Sequence, residues 1–141
     1  DKENLKICLI EDDESLRFTI KEILEKQDVQ IMEAENGKVG MDILQNEEIK
    51  PDLILLDLMM PVMNGFEFLK AIRETELNSI PILVLTGAEL SEDEKKFLSG
   101  ETQRILEKSE DTMSTIVNEV SNVIKASSFK NGDNKWQRYY M

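Results

Sequence analysis

Four strand-like runs in this chain, three of them apolar, end on residues that can do chemistry. Lys6 to Ile10 (KICLI) is followed at once by Glu11-Asp12-Asp13-Glu14, and Leu53 to Leu56 stops on Asp57. Pro81 to Thr86 (PILVLT) ends in a hydroxyl, and the weaker run Arg104 to Glu107 ends at Lys108. Taken singly, each has an ordinary explanation: acids ahead of a helix favour its dipole, and an Asp at a strand end suits a turn. Brought together they do more. Carboxylates from neighbouring strand ends repel, and in isolation at least one would hold its proton. A hard divalent cation relieves that repulsion, and a few carboxylates with waters and a phosphate suit Mg²⁺. A hydroxyl and an ammonium facing the acids supply one donor and one countercharge for phosphoryl oxygens. An Asp carboxylate can itself be the nucleophile, giving an acyl phosphate. The chemistry implied is phosphoryl transfer onto a carboxylate with metal assistance.

That chemistry requires the four ends to share one edge of a sheet. The run before Asp57 is apolar at every position, lies between Pro51 and Pro61, and suits a parallel strand covered on both faces. Helical patterns separate the strands. Ser15 opens one with Leu16, Ile20, Ile23 and Leu24 on a single face. Gln30 to Ala34 is a second, shorter strand, closed by the turn pair Asn36-Gly37, and a helix with Val39, Ile43 and Leu44 inward follows to about Asn46. After Gly65 a third helix presents Phe66, Leu69 and Ile72. Ser91 with Glu94 three residues on is a capping box that opens a fourth. The last carries Met113, Ile116, Val117, Val120, Val123 and Ile124 as one stripe, a spacing that outweighs the weak helix propensity of Val and Ile. Strand and helix alternate throughout, which implies a parallel sheet with helices on both faces, and right-handed crossovers leave few topologies. The expected fold class is α/β, and a flavodoxin-like (βα)5 doubly wound parallel sheet of strand order 2-1-3-4-5 is one of those topologies. Its switch point lies between the first and third strands, whose ends carry Glu11, Asp12 and Asp57. One domain is expected over residues 1–126. Residues 127–141 lose the apolar periodicity and read as a C-terminal tail, although Trp136, Tyr139 and Tyr140 lie within it.

Composition narrows the function classes. The 141 residues include 17 Lys plus Arg against 29 Asp plus Glu, a net charge of −12. Such a surface repels nucleic acid and anionic lipid, so neither direct DNA binding nor membrane association is expected. The absence of His excludes His-based catalysis and His phosphorylation within these residues. Cys8, the one cysteine, lies in an apolar run and reads as a small buried hydrophobe, with no disulfide possible within the chain. No signal peptide or membrane span is visible, and a reducing, cytoplasmic setting is expected. The first residue is Asp rather than Met, and the expectation is a chain processed or excised from a longer one.

Over roughly Lys6 to Lys125 the chain resembles a response-regulator receiver domain of two-component signalling. The resemblance is carried by IEDDESLR (Ile10 to Arg17), DLILLDLMMPVMNG (Asp52 to Gly65), VLTGA (Val84 to Ala88) and LEKS (Leu106 to Ser109). It implies that Asp57 is the phosphoacceptor and that Glu11 and Asp12 are the acidic pair. Asp12 would touch Mg²⁺ directly and Glu11 mainly through water, with the backbone carbonyl of Met59 as a further ligand. Asp13, one residue beyond when the segments are aligned on Arg17, is the weaker candidate for the pair. Thr86 would be the switch hydroxyl and Lys108 the phosphate-binding lysine. The residues two beyond Asp57 and Thr86, which flank the path of attacking water, are Met59 and Ala88, and neither can position a water by hydrogen bonding. The implied partner is a histidine kinase or a histidine phosphotransfer protein, and the domain would be a monomer or weak dimer whose only chemistry is its own phosphorylation and dephosphorylation.

The chain departs from that family at two positions. An aromatic residue commonly precedes the lysine by three and rotates inward on phosphorylation, whereas here it is Ile105. Pro commonly follows the lysine, often after a cis bond, whereas here it is Ser109, where a cis bond would cost about 2.5–4 kcal/mol and a trans peptide is expected. The segment Gly100 to Ser109 looks more like receivers fused to the C-terminal end of hybrid histidine kinases, a moderately specific likeness. Three other readings compete with this one. A haloacid-dehalogenase-type phosphatase needs a second Asp two residues after the nucleophile, and that position is Met59. Nucleotide binding lacks both a G-x-x-x-x-G-K-[ST] loop and G-x-G-x-x-G. The remaining alternative is a receiver-like interaction module that works without phosphorylation; Ile105 favours it, and intact Glu11, Asp12, Asp57, Thr86 and Lys108 oppose it.

Overall fold

The computed structural model describes residues 5–46, 48, 50–102, 104–108 and 112–128. Strands β1 (Leu5–Ile10), β2 (Val29–Ala34), β3 (Leu53–Asp57), β4 (Ile82–Thr86) and β5 (Arg104–Glu107) alternate with helices α1 (Glu14–Glu25), α2 (Gly37–Asn46), α3 (Gly65–Arg73), α4 (Glu92–Glu101) and α5 (Thr112–Ser128). The strands form one parallel sheet in the order β2-β1-β3-β4-β5, the doubly wound α/β arrangement expected from the sequence. β3 and β4 are buried along their whole length. Their continuous apolar runs follow from the pleat, because alternate side chains enter opposite cores. Cys8, Ile10, Ile54, Leu56 and Val84 pack with Met41, Leu44, Phe68, Ile72 and Leu98 from α2, α3 and α4. Ile7, Leu9, Leu53, Leu55, Leu83 and Leu85 pack on the other face with Ile20 and Leu24 of α1 and Ile116 and Val120 of α5.

Several element ends differ from the sequence reading, each for a local reason. α1 begins at Glu14 rather than with Ser15, because Asp13 is its N-cap: its Oδ1 accepts the Leu16 N–H at 3.1 Å. Asn36-Gly37 closes β2 by starting the next helix directly, with Asn36 Oδ1 accepting the Val39 N–H at 2.9 Å. α3 opens on a capping box between Asn64 and Glu67. Its fully buried ring is Phe68, whereas Phe66, expected inward, is half-buried against Phe97. A short 3-10 helix, Glu76–Ser79, leads into β4 and was not apparent from periodicity. The Ser91–Glu94 capping box of α4 forms as expected.

α5 continues to Ser128. Residues 129–141, with Trp136, Tyr139 and Tyr140, lie outside the described residues, as do the Lys108–Ser109 peptide and the side chains of Met113, Val123 and Ile124. Among the described residues no helix is long and apolar enough to cross a membrane.

Candidate functional site

Strand register brings the acids together. Ile10 lies opposite Leu56 in the β1–β3 pair, so the next residues, Glu11 and Asp57, leave the sheet side by side. Glu11 continues the ladder one step beyond β1 through its N–H to Ala34 O at 3.0 Å. Carboxylate oxygens of Glu11, Asp12 and Asp57 all lie within 4.8 Å of one another. Glu11 is 0% and Asp57 2% exposed, while Asp12 lies at the surface. The opposite edge of the site is built by β4 and β5, where the Lys108 N–H donates to Thr86 O at 2.7 Å just past the Thr86–Glu107 pair. From there the Lys108 side chain reaches back to both buried acids, with Nζ 3.3 Å from Asp57 Oδ1 and 3.4 Å from Glu11 Oε2. Nζ is also 3.2 Å from Glu11 Oε1, but the angle there is not that of a hydrogen bond, and Oε1 remains buried without one. A buried carboxylate oxygen with no donor is costly, and a hard cation is the partner its chemistry fits.

The loop after Asp57 is held tightly at its base. The Met59 N–H points at Asp57 Oδ1 at 3.4 Å, and the Gly65 N–H returns to Leu58 O at 2.9 Å. A Cβ on residue 65 would lie 2.6 Å from Asp57 O and 2.7 Å from Leu58 Cα, so only glycine lets α3 start this close beneath the acid. At its tip the loop is open to solvent: Met59 is 61% and Val62 77% exposed. Val62 adopts φ of 69°, a left-handed conformation that is a genuine outlier for a β-branched residue.

Burial and mutual repulsion set the electrostatics. Burial first, then the charge of Asp57, pushes the Glu11 carboxyl up to about 7, against the Asp13 amide and Lys108, which lower it. Asp57 is likewise raised by burial and by its contact with Asp12, a rise that Lys108 and the Met59 N–H only partly offset. Burial alone would lower the Lys108 ammonium, yet the two carboxylates outweigh it and hold it above the usual lysine value. One ammonium thus serves two buried acids. Cys8, outside the site, is pushed up to about 12 by burial and is inert.

Of the residues singled out from sequence, Glu11, Asp12, Asp57 and Lys108 converge. Asp13 does not join them: its carboxylate caps α1, and its N–H donates to Glu11 Oε2 at 3.0 Å. Thr86 is buried at the same sheet edge, with Oγ1 accepting the Ala88 N–H at 3.0 Å. Ile105 is half-buried on β5, against the α2–α4 core. Two motif residues, Arg17 and Gly65, have roles that their sequence positions do not show. Arg17 Nη1 donates to Glu11 O at 2.7 Å, and its Nε pairs with Glu33 Oε1 at 3.1 Å. A charged residue on the edge of the Leu16–Ile20–Leu24 stripe was the available sign.

The family model of the response regulator receiver domain matches residues 7–121. The chain belongs to that family. This receiver domain is 39% identical over 85 residues to the transcriptional regulatory protein CpxR of Escherichia coli, covering 60% of this chain and 35% of CpxR. It is 40% identical over 88 residues to histidine kinase P4 of Formosa agariphila, covering 62% of this chain and 6% of that protein. The chain therefore spans about a third of CpxR and a small part of the kinase. Its fold superposes on the phosphorylated cyanobacterial phytochrome response regulator RcpA with a TM-score of 0.73 at 27% identity, covering 87% of this chain and 93% of the other. Receiver domains are phosphoacceptor signalling domains of two-component systems that interact with histidine kinases or phosphotransfer proteins.

Proposed function

We propose that Asp57 accepts the phosphoryl group, with Glu11, Asp12, Asp57 and the Met59 carbonyl as the Mg²⁺ ligands and Lys108 and Thr86 as the groups that take up the phosphoryl oxygens. The observation that carries this reading is the convergence of three carboxylates from two strand ends with one lysine bridging the buried pair. Glu11 Oε1, buried without a hydrogen bond beside the Lys108 ammonium, supports a cation there. Bound Mg²⁺ would offset charge on the transferring group; the remaining work belongs to the chain. Asp57 Oδ1 is the oxygen held by Lys108 and the Met59 N–H, so Oδ2 is assigned as the nucleophile. As its bond to phosphorus forms, the P–N bond of a phosphohistidine donor breaks and imidazole leaves. Lys108 then exchanges carboxylate for phosphoryl oxygen. Thr86 uses its lone pair on Ala88, which keeps its O–H as a donor to the same group. Hydrolysis would be governed by access past Met59 and Ala88, since neither side chain can orient water.

The donor would be a histidine kinase or a histidine phosphotransfer protein of the cytoplasm, meeting the open rim at Met59. The output would pass from Thr86 and Lys108 to the surface between α4 and β5, controlling a partner or a further relay step. The test is formation of a beryllium fluoride complex. It should require Mg²⁺ and be lost in Asp57→Asn; a complex that forms equally without Mg²⁺, or in that variant, contradicts the assignment.

A further inference from the structure

We infer that Arg17 is a positioning residue of the metal site, fixing the Glu11–Asp12 peptide so that both carboxylates face Asp57. The inference rests on the metal site proposed above. Glu11 stands where the chain leaves the sheet, and its two backbone polar groups are both held: its N–H by Ala34 O at 3.0 Å and its C=O by Arg17 Nη1 at 2.7 Å. The first bond belongs to the sheet. The second comes from a side chain six residues on, in the first turns of α1, and sets the plane of the peptide from which Asp12 projects. Asp12 has no capping duty, which Asp13 performs, so that peptide plane is what aims it.

The guanidinium is itself anchored. Its Nε pairs with Glu33 Oε1 at 3.1 Å, and the other Glu33 oxygen lies 3.4 Å from Lys21 Nζ. Arg17 thus spans β2 and the end of β1 with two donors of one rigid fork, a geometry that lysine, a single point donor, cannot reproduce. Its side chain is only 16% exposed, so these charge-assisted bonds compete little with water.

Charge and positioning make opposite predictions. Arg17 is a cation beside a site for a divalent cation, and by Coulomb's law alone its removal would tighten Mg²⁺ binding. Loss of positioning would weaken it. Mg²⁺ titration of the wild-type chain, Arg17→Met, Arg17→Lys and Glu33→Gln by calorimetry, with thermal melts in chelator as the control on folding, separates them. The expected result is affinity about tenfold weaker or more in Arg17→Met, the scale typical of groups that orient metal ligands. Arg17→Lys, which keeps the charge and loses the fork, should also weaken it, and Glu33→Gln should weaken it by less. Affinity equal to or tighter than wild type in Arg17→Met overturns the inference, even if its melting temperature falls. Should Arg17→Met fail to fold, Arg17→Lys decides, and wild-type affinity there is the contrary result. If the wild-type chain binds no Mg²⁺, this inference and the metal site fall together; if it binds and the Arg17 variants bind as well, only this inference falls.

Discussion

At the scale of single residues, the metal-free site is a store of repulsion that pH should reveal. The Glu11 carboxyl is pushed up to about 7 from 4.5, first by burial and then by Asp57, and Asp57 is shifted in the same direction. An acid whose folded value lies above its unfolded one stabilises fully below the unfolded value and loses that contribution as pH rises through the folded value. With no histidine in the chain, few other groups titrate between about pH 6 and 8. In chelator, the unfolding free energy from urea melts should fall as pH rises from 4.5 through about 7, most cleanly above about pH 6 where few other groups titrate, and Mg²⁺ should reduce the fall. Stability that is flat or rises with pH without metal would contradict the description of the buried pair. A second residue-scale prediction concerns Val62, held at φ 69° and 77% exposed. A β-branched residue pays about 1–2 kcal/mol for that conformation, asparagine adopts it readily, and little burial is lost. Val62→Asn should raise stability by about 1 kcal/mol, read as a higher urea midpoint, and an unchanged or lower midpoint would count against strain there. Asp57 and Glu11 were legible in the sequence because each interrupts an apolar run at its end, and Lys108 because it follows the last, weaker strand. Arg17 was not, because its partners are a backbone carbonyl and an acid on β2, a contact that only the β1–β2 pairing creates.

At the scale of elements, the distinctive region is α4 with β5. α4 is a weakly amphipathic helix with Leu98 as its buried residue. Its far end is fastened to α3: Arg73 pairs with Glu101 at 2.7 Å and lies 5.7 Å above the Phe97 ring, which in turn meets Phe66. Its near end borders an open groove of about 850 Å³ whose lining includes Leu90, Ser91, Ile105, Leu106 and Thr115. The receiver resemblance implies an aromatic ring at the position of Ile105, which is smaller and stiff at χ1. Activation should therefore produce a short-range rearrangement. Hydrogen exchange with and without beryllium fluoride and Mg²⁺ should change in the loop after Thr86, the start of α4 and β5, with the α3-fastened end of α4 unaltered. Protection changes spread across the sheet, or tight dimerisation in sedimentation, would contradict this. The identity of the strands and α-helices was readable from patterning and caps, whereas that of the 3-10 helix Glu76–Ser79 was not. Exact starts were not, because Asp13 and Asn64 cap through side-chain bonds that several nearby polar residues could equally have made.

At the scale of the molecule, the alternation of strand and helix together with right-handed crossovers left a few topologies that include the observed strand order, and that order is what makes a site of residues far apart in sequence. Glu11, Asp57 and Lys108 are neighbours because β1, β3, β4 and β5 all point the same way and end at one edge. The charge of −12 favours the approach of a divalent cation. What sequence did not reveal at this scale is how the site is held closed from beneath. Gly65, with Asp57 O and Leu58 Cα inside the space a Cβ would need, is a demand of tertiary packing that periodicity does not register. The most direct test of the whole account is intact-mass measurement after incubation with acetyl phosphate. With Mg²⁺ the chain should gain the mass of one phosphoryl group, without Mg²⁺ it should gain little, and Asp57→Asn should gain none. Full incorporation into the Asp57→Asn chain would contradict the assignment of Asp57 as the phosphoacceptor.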